Sequence, residues 1–383
     1  MSKPTLKEII LVFAKLGTIA FGGPAAHIAM MEDEVVRRRR WLSREEFLDL
    51  LGATNLVPGP NSTELAIHIG YKVGGWLGLF AAGIAFIGPA FLIVWALAWF
   101  YVKFGALPAF QSIFVGVKPV ILAVISQAIW NLSLVAIKDR LLAFLAALAL
   151  GFYLIWGQEI LVLALVALFN LLIRKNFRPP TKGHLLLALL SSLFLHPLIK
   201  AWAQVSEELK IPTESLFGYF AKVGSVLFGS GYVLIAFLQS DLVEKYHWLT
   251  QQQLVDAIAV GQFTPGPVFT TATFIGYLIS GNTGAVVATL GIFAPAFLFV
   301  ALSSPFIPTL RRSPWTAPLL DGLNVASLSL MAGASLILAK GAVTSIYGSL
   351  VFCASLGLLI KHKINSTWLI LGAGLLGYFG LTN

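Results

Sequence analysis

Long stretches of this chain carry no charge at all. Residues 73–102, 119–137, 141–158, 257–310, 322–339, 341–360 and 364–383 contain no Asp, Glu, Lys or Arg. A helix needs ~20 apolar residues to cross ~30 Å of hydrocarbon, so the pattern predicts an all-α polytopic membrane protein. Two shorter segments cannot be continuous helix. In Asn55-Leu-Val-Pro58-Gly59-Pro60-Asn61-Ser62-Thr63-Glu64, the two prolines lack amide donors and bias the residues before them away from the helical region. Gly59 takes the bend between them at least cost. Asn61, Ser62 or Thr63 then offers a cap for a new helix, with Glu64 in its first turn. The same break returns as Gln262-Phe-Thr264-Pro265-Gly266-Pro267-Val-Phe-Thr270-Thr271.

The recurrence is part of a duplication. Residues 13–60 align with 220–267 without a gap at 15 identities in 48, including Lys15/Lys222, Gly22/Gly229, Trp41/Trp248, Asp49/Asp256 and both Pro-Gly-Pro triplets. After one deletion the match resumes through Gly70/Gly276, Gly78/Gly284 and Pro89-Ala-Phe-Leu against Pro295-Ala-Phe-Leu. The chain divides into a first repeat at 1–175, a linking helix and loop at 176–212, and a second repeat at 213–383. Each repeat is expected to begin with two broken, re-entrant segments. In the first these are 6–36, interrupted at Phe21-Gly-Gly-Pro24, and 43–72, interrupted at Pro-Gly-Pro; four spans follow, at 74–101, 107–137, 141–157 and 160–173. Single full spans in place of the re-entrant segments are the alternative count. Ser43-Arg-Glu-Glu46 and Thr250-Gln-Gln-Gln253 both read as capping boxes opening the helix that runs into the break.

Charge adds orientation. The chain is 58% hydrophobic and 11% charged with net charge +9, and the basic residues gather in short loops, which fits the positive-inside rule better than a nucleic-acid partner. The loop before Trp41 carries Arg37, Arg38, Arg39 and Arg40, whereas its counterpart before Trp248 carries Glu244, Lys245 and His247. Equivalent loops on the same side would both be basic, so the repeats are read as having opposite topology. That arrangement places the loops with Arg174/Lys175/Arg178/Lys182, Arg311/Arg312 and Lys361/Lys363 on one face, and the acidic loop with Glu207, Glu208 and Glu214 on the other. The single Cys353 gives neither a disulfide framework nor a cysteine metal site. No metal or cofactor is expected.

Helix starts at membrane depth present unpaired amides and the positive end of the dipole, which suits an oxyanion. The candidates for binding are Gly22, Gly23, Asn61, Ser62 and Thr63, with Gly229, Ser230, Thr270 and Thr271 from the second repeat. Lys15 and Lys222 are equivalent charges in apolar segments, either functional or snorkelling to an interface. Asp49 and Asp256 lie on the helices entering the breaks and are candidates to pair with a lysine or to relay protons. Glu64 and His68 share one helical face, and their counterparts in the second repeat are apolar or hydroxylic. They form either a proton-handling site or a structural hydrogen-bonded pair.

The motifs Phe21-Gly-Gly-Pro-Ala-Ala-His27, Trp41-Leu, Phe47-Leu-Asp49 and Asn55-Leu-Val-Pro-Gly-Pro-Asn-Ser-Thr-Glu64, with Phe-Gly-Ser-Gly and Thr-Pro-Gly-Pro in the second repeat, resemble the long-chain chromate ion transporter family over nearly the whole chain. The resemblance implies chromate efflux across the cell's inner membrane driven by the proton motive force, with sulfate as a related tetrahedral anion. Two other readings stay open. One is an intramembrane lipid-phosphate enzyme using Glu64, Ser62 and His68; the other is a passive anion channel. The oligomeric state is not fixed, and a homodimer is compatible with the pattern.

Overall fold

The computed structural model describes residues 4–21, 23–105, 107–174, 213–228, 231–304, 315–342, 345–362 and 364–379. Among these residues the structure is helical, with no strand. The linking segment at 176–212, the loop of Arg311 and Arg312, and Lys363 lie outside them.

The first repeat begins with α1 (Leu6–Ile19) and α2 (Gly23–Glu32), which runs into a π-helical turn, Asp33–Arg38. Then come α3 (Arg44–Thr54) and α4 (Asn61–Phe104). α5 (Pro108–Ala136), α6 (Arg140–Trp156) and α7 (Glu159–Ile173) complete it. The second repeat follows the same order. α8 (Thr213–Val226) precedes a 3₁₀ turn, α9 (Leu234–Phe237) and a π-helical turn, Leu238–Lys245. α10 (Gln251–Phe263), α11 (Thr271–Ser303), α12 (Thr316–Ala342), α13 (Ile346–His362) and α14 (Ser366–Tyr378) follow. Among the described residues, four stretches are long and apolar enough to cross a membrane: Asn61–Phe104, Ser112–Ala136, Val268–Ser303 and Thr316–Ala339.

The two longest helices are not rods. α4 carries Gly75 at φ 62°, ψ −151°, and α11 carries Gly281 at φ 59°, ψ −144°, a backbone region open mainly to glycine. Each helix reverses there. A Cβ built on Gly70 would overlap the Gly78 carbonyl and the Ala82 methyl, and one on Gly276 would overlap Gly284 and Ala288. Residues 70 and 82 would stand about 18 Å apart along a straight helix. The Thr273 and Thr289 hydroxyls hydrogen-bond at 2.7 Å across the second hairpin. Gly276→Val should therefore lower the melting temperature of the purified protein, since overpacking costs about 1–3 kcal/mol. An unchanged melting curve would rule out the close approach at Gly276.

Both expected capping boxes form: Ser43 exchanges hydrogen bonds with Glu46, and Thr250 with Gln253. Glu46 also reaches Lys72 Nζ at 3.2 Å, joining α3 to the first arm of α4 at the end away from the Pro-Gly-Pro. The Ser43 amide and then the Lys72 ammonium hold the Glu46 carboxyl below the usual carboxylate range. This contribution to stability is present above the unfolded pKa and is lost as pH falls through the depressed folded value.

Candidate functional site

The two Pro-Gly-Pro breaks meet each other's repeat in the same way. Gly59 N donates to Leu227 O at 2.7 Å, and Gly266 N donates to Ala20 O at 3.1 Å. Leu227 is the repeat equivalent of Ala20, so equivalent residues exchange one bond in both directions, as an isologous contact does. Packing follows the same rule. A Cβ built on Gly59 would lie against Ala296, and one on Gly266 against Ala90, the residues after Pro295 and Pro89. Each break is thus buried against the proline-bearing span of the other repeat. The positive φ of Gly59 (145°) and Gly266 (88°) lets the backbone come this close.

The two breaks differ in their polar atoms. α4 starts at Pro60, whose carbonyl accepts from Thr63 N at 2.8 Å and Glu64 N at 3.0 Å, and no side chain caps it. The expected cap by Asn61, Ser62 or Thr63 does not form, because the tight first turn closes on Pro60 itself. For the same reason the Thr63 amide is occupied, which leaves Asn61 and Ser62 at the head of the helix. In the second repeat, a 3₁₀ turn (Val268–Thr270) precedes α11, and the Thr270 and Thr271 amides bond within it. Their hydroxyls donate to Pro267 O and Val268 O, both at 2.8 Å. The amides expected from Thr270 and Thr271 are thus drawn inward, and Val268 and Phe269 take the head of that turn.

Around the first break the side chains are left over. Ser62, Thr63, Glu64 and His68 are all buried. The Thr63 hydroxyl, both Glu64 carboxyl oxygens and His68 Nε2 have no hydrogen-bond partner among the described residues. The Glu64 carboxyl folds back into the space a Cβ on Gly59 would fill. His68 turns its Nδ1 to Ser304 Oγ at 3.3 Å, so the structural Glu64–His68 hydrogen bond is not made. Buried His27 donates from Nε2 to Ala20 O at 3.0 Å, the carbonyl that also accepts from Gly266, and its Nδ1 is unpartnered among the described residues. Buried Gln262, which leads into the second break, keeps an unpartnered Nε2 on the same terms. Buried polar atoms are nearly always paired, so the unpartnered atoms of Thr63, Glu64 and His68 make the first break the candidate site.

The other expected groups are distributed differently. Gly23 opens α2 at φ 77°, with Tyr232 of the second repeat beside it; Gly22, Gly229 and Ser230 lie outside the described residues. Lys15 pairs with Glu34 at 2.5 Å and Lys222 with Asp241 at 3.3 Å. These are one ion pair drawn twice, because Glu34 and Asp241 are repeat equivalents. The π-helical turn brings the acid back over the first helix, so the lysines meet these acids in place of the expected Asp49 and Asp256. Asp49 is exposed. Asp256 is buried and accepts from Tyr101 Oη at 2.8 Å and from Gln252 Nε2 at 2.8 and 3.0 Å. Lys118, inside α5, reaches Gln252 as well. It is a cation within the candidate span Ser112–Ala136, at the edge of the charge-free stretch 119–137.

Comparison with known proteins defines the class. The chromate transporter family model matches residues 7–172 and again 215–378, and the chain belongs to that family. The chain is 35% identical over 376 residues to a chromate transport protein of Cupriavidus metallidurans, covering 97% of this chain and 92% of that one. It is 32% identical to a probable chromate transport protein of Synechococcus elongatus, covering 88% and 85% of the two chains. An uncharacterized transporter of Methanocaldococcus jannaschii is 29% identical, covering 98% and 95%. No solved structure matches the chain.

Proposed function

We propose that this protein is a secondary transporter that carries chromate, or a related tetrahedral oxyanion such as sulfate, out of the cell across the inner membrane, driven by the proton motive force. One observation carries the reading. The Pro-Gly-Pro break of each repeat donates a hydrogen bond to the residue just before the Phe-Gly break of the other repeat, and unpartnered polar atoms of Thr63, Glu64 and His68 are buried at the first Pro-Gly-Pro. Chromate is a dianion with four acceptor oxygens. The uncapped helix start at Asn61 and Ser62 supplies amides and a positive dipole end, and the Thr63 hydroxyl adds a donor. Glu64 carries the proton, because a carboxyl enclosed without a partner is costly when charged. Its protonation and the arrival of a dianion favour one another, since the negative charge it removes faces the same break; anion and proton then leave together with one net negative charge, which the inside-negative membrane potential, the electrical part of the proton motive force, drives outward.

In this reading the repeats are inverted and their first segments are re-entrant, so the breaks approach the midplane from opposite faces, as in other transporters built from inverted repeats. The reciprocal contacts and the contrast between Arg37–Arg40 and Glu244/Lys245/His247 support that arrangement. The second repeat, with its hydroxyls already bonded, closes the cavity. Counterflow tests the function. Proteoliposomes preloaded with unlabelled sulfate should accumulate labelled chromate, and a tenfold excess of external sulfate should suppress it. Absence of counterflow contradicts the reading, and linear flux without exchange acceleration would identify a channel.

A further inference from the structure

The helices gather into two bodies, and each repeat gives equivalent helices to both. One body holds α1–α4 and α8–α11, with α1 packed along α4, α8 along α11, and α4 against α11. The other holds α5–α7 and α12–α14, with α5 against α12, α13 and α14, and α12 against α6 and α7. The tightest approaches recur in pairs inside these bodies. A Cβ built on Gly17 would overlap the Phe86 carbonyl, and one on Gly224 the Ile292 carbonyl. In the other body, a Cβ on Gly116 would overlap the Ala373 carbonyl, and one on Gly322 would meet Ala167. At the repeat offset each pair is a single contact made twice. Both Pro-Gly-Pro breaks belong to the first body, after α3 and α10.

The seam between the bodies does not follow this symmetry. α10 lies against α5, α12 and α14, and its Val255, Asp256, Ile258 and Ala259 are buried. Lys118 of α5 donates across the seam to Gln252 Oε1, and the same amide donates to Asp256 at 2.8 Å. The equivalent helix of the first repeat, α3, packs on α4. Its matching stripe is uncovered: Leu48 is 50% exposed where Val255 is 5%, and Leu51 and Gly52 are half-buried where Ile258 and Ala259 are buried. Two copies of one helix thus occupy two environments, although the bodies that carry them are built on the same contacts. The exposed copy keeps the apolar stripe that its twin buries.

We propose that transport exchanges these two placings. The break-bearing body tilts against α5–α7 and α12–α14, so that α10 leaves α5 as α3 docks on α12, and the structure holds one of the two states. The proposal rests on the transporter reading and names the motion that reading needs. Gln252 and Lys118 mark the present state. Their repeat equivalents are Glu45 and Asn324, the latter set by the offset that matches Gly116 with Gly322, and these two meet in the other state. In the topology proposed above α3 starts inside, so the present state is open inward and α10 closes the outer side.

Paired cysteines test the exchange in a Cys353→Ser background, which removes the exposed native thiol. In proteoliposomes exchanging chromate, a bis-maleimide with a cleavable disulfide spacer should join Lys118→Cys to Gln252→Cys, and in a second protein Glu45→Cys to Asn324→Cys. Each bridge should stop counterflow, and reduction should restore it. The proposal is overturned if residues 45 and 324 are never joined, or if either bridged protein exchanges at its unbridged rate. Val255→Cys alone gives a second readout where a double variant does not fold. In detergent with chromate present it should react with a water-soluble maleimide; lasting protection contradicts the exchange. Absent counterflow in the unmodified protein would overturn the transporter reading instead, and the bridging and labelling patterns would still decide the motion.

Discussion

Pro58→Ala combined with Pro60→Ala should abolish chromate transport while the protein still inserts and purifies as a folded species. The prolines end α3 and set the start of α4 at Pro60, whose carbonyl closes the first turn. With alanine at both positions, nothing forbids the helix from running through residues 55–64. Continuous helix would pair the amides of Asn61 and Ser62 internally and withdraw them from an anion. It would also pull Gly59 away from Leu227, breaking one of the two reciprocal contacts. The loss should appear mainly in transport, because the apolar packing of the spans is untouched. Efflux by the double variant at the wild-type rate would sink the helix-start site.

Glu64→Gln should remove the stimulation of chromate transport by an imposed pH gradient. The side chain is fully buried, and the amide nearly matches its shape, so packing and insertion should survive. Only the exchangeable proton is lost. With a carboxyl at residue 64, transport should quicken when the gradient favours its protonation on the side where chromate binds; with glutamine, the rates with and without the gradient should coincide. If Glu64→Gln still responds to the gradient as the wild type does, Glu64 is a buried structural group and coupling resides elsewhere.

Most of the backbone plan could be read in the sequence because it is local. Two prolines around a glycine break a helix wherever they stand, and Ser-x-x-Glu caps one. The backbone of α4 reverses at Gly75, beside the boundary at residue 74 that the absence of charge after Lys72 suggests. Partnership was not legible in the same way. Glu34 and Asp241 are 19 residues from the lysines they bind, and only the folded π-helical turns bring them back. The repeat alignment held the clue, since both acids match at the offset that matched the lysines. Lys118 and Glu159 border charge-free stretches, where a charge reads as the edge of a span and gives no sign of burial. Which hydroxyls were already bonded at the breaks was also beyond the sequence. Ser62-Thr63 and Thr270-Thr271 look alike in composition, and a 3₁₀ turn in one repeat separates their roles.

Transport can fail because a site is lost or because a cycle stalls, and binding separates the two. Equilibrium dialysis of labelled chromate against the purified wild type and the Pro58→Ala/Pro60→Ala variant therefore tests the central claim most directly. The wild type should bind chromate with displacement by sulfate, and the variant should bind none. Equal binding by both proteins would place the anion somewhere other than the paired breaks.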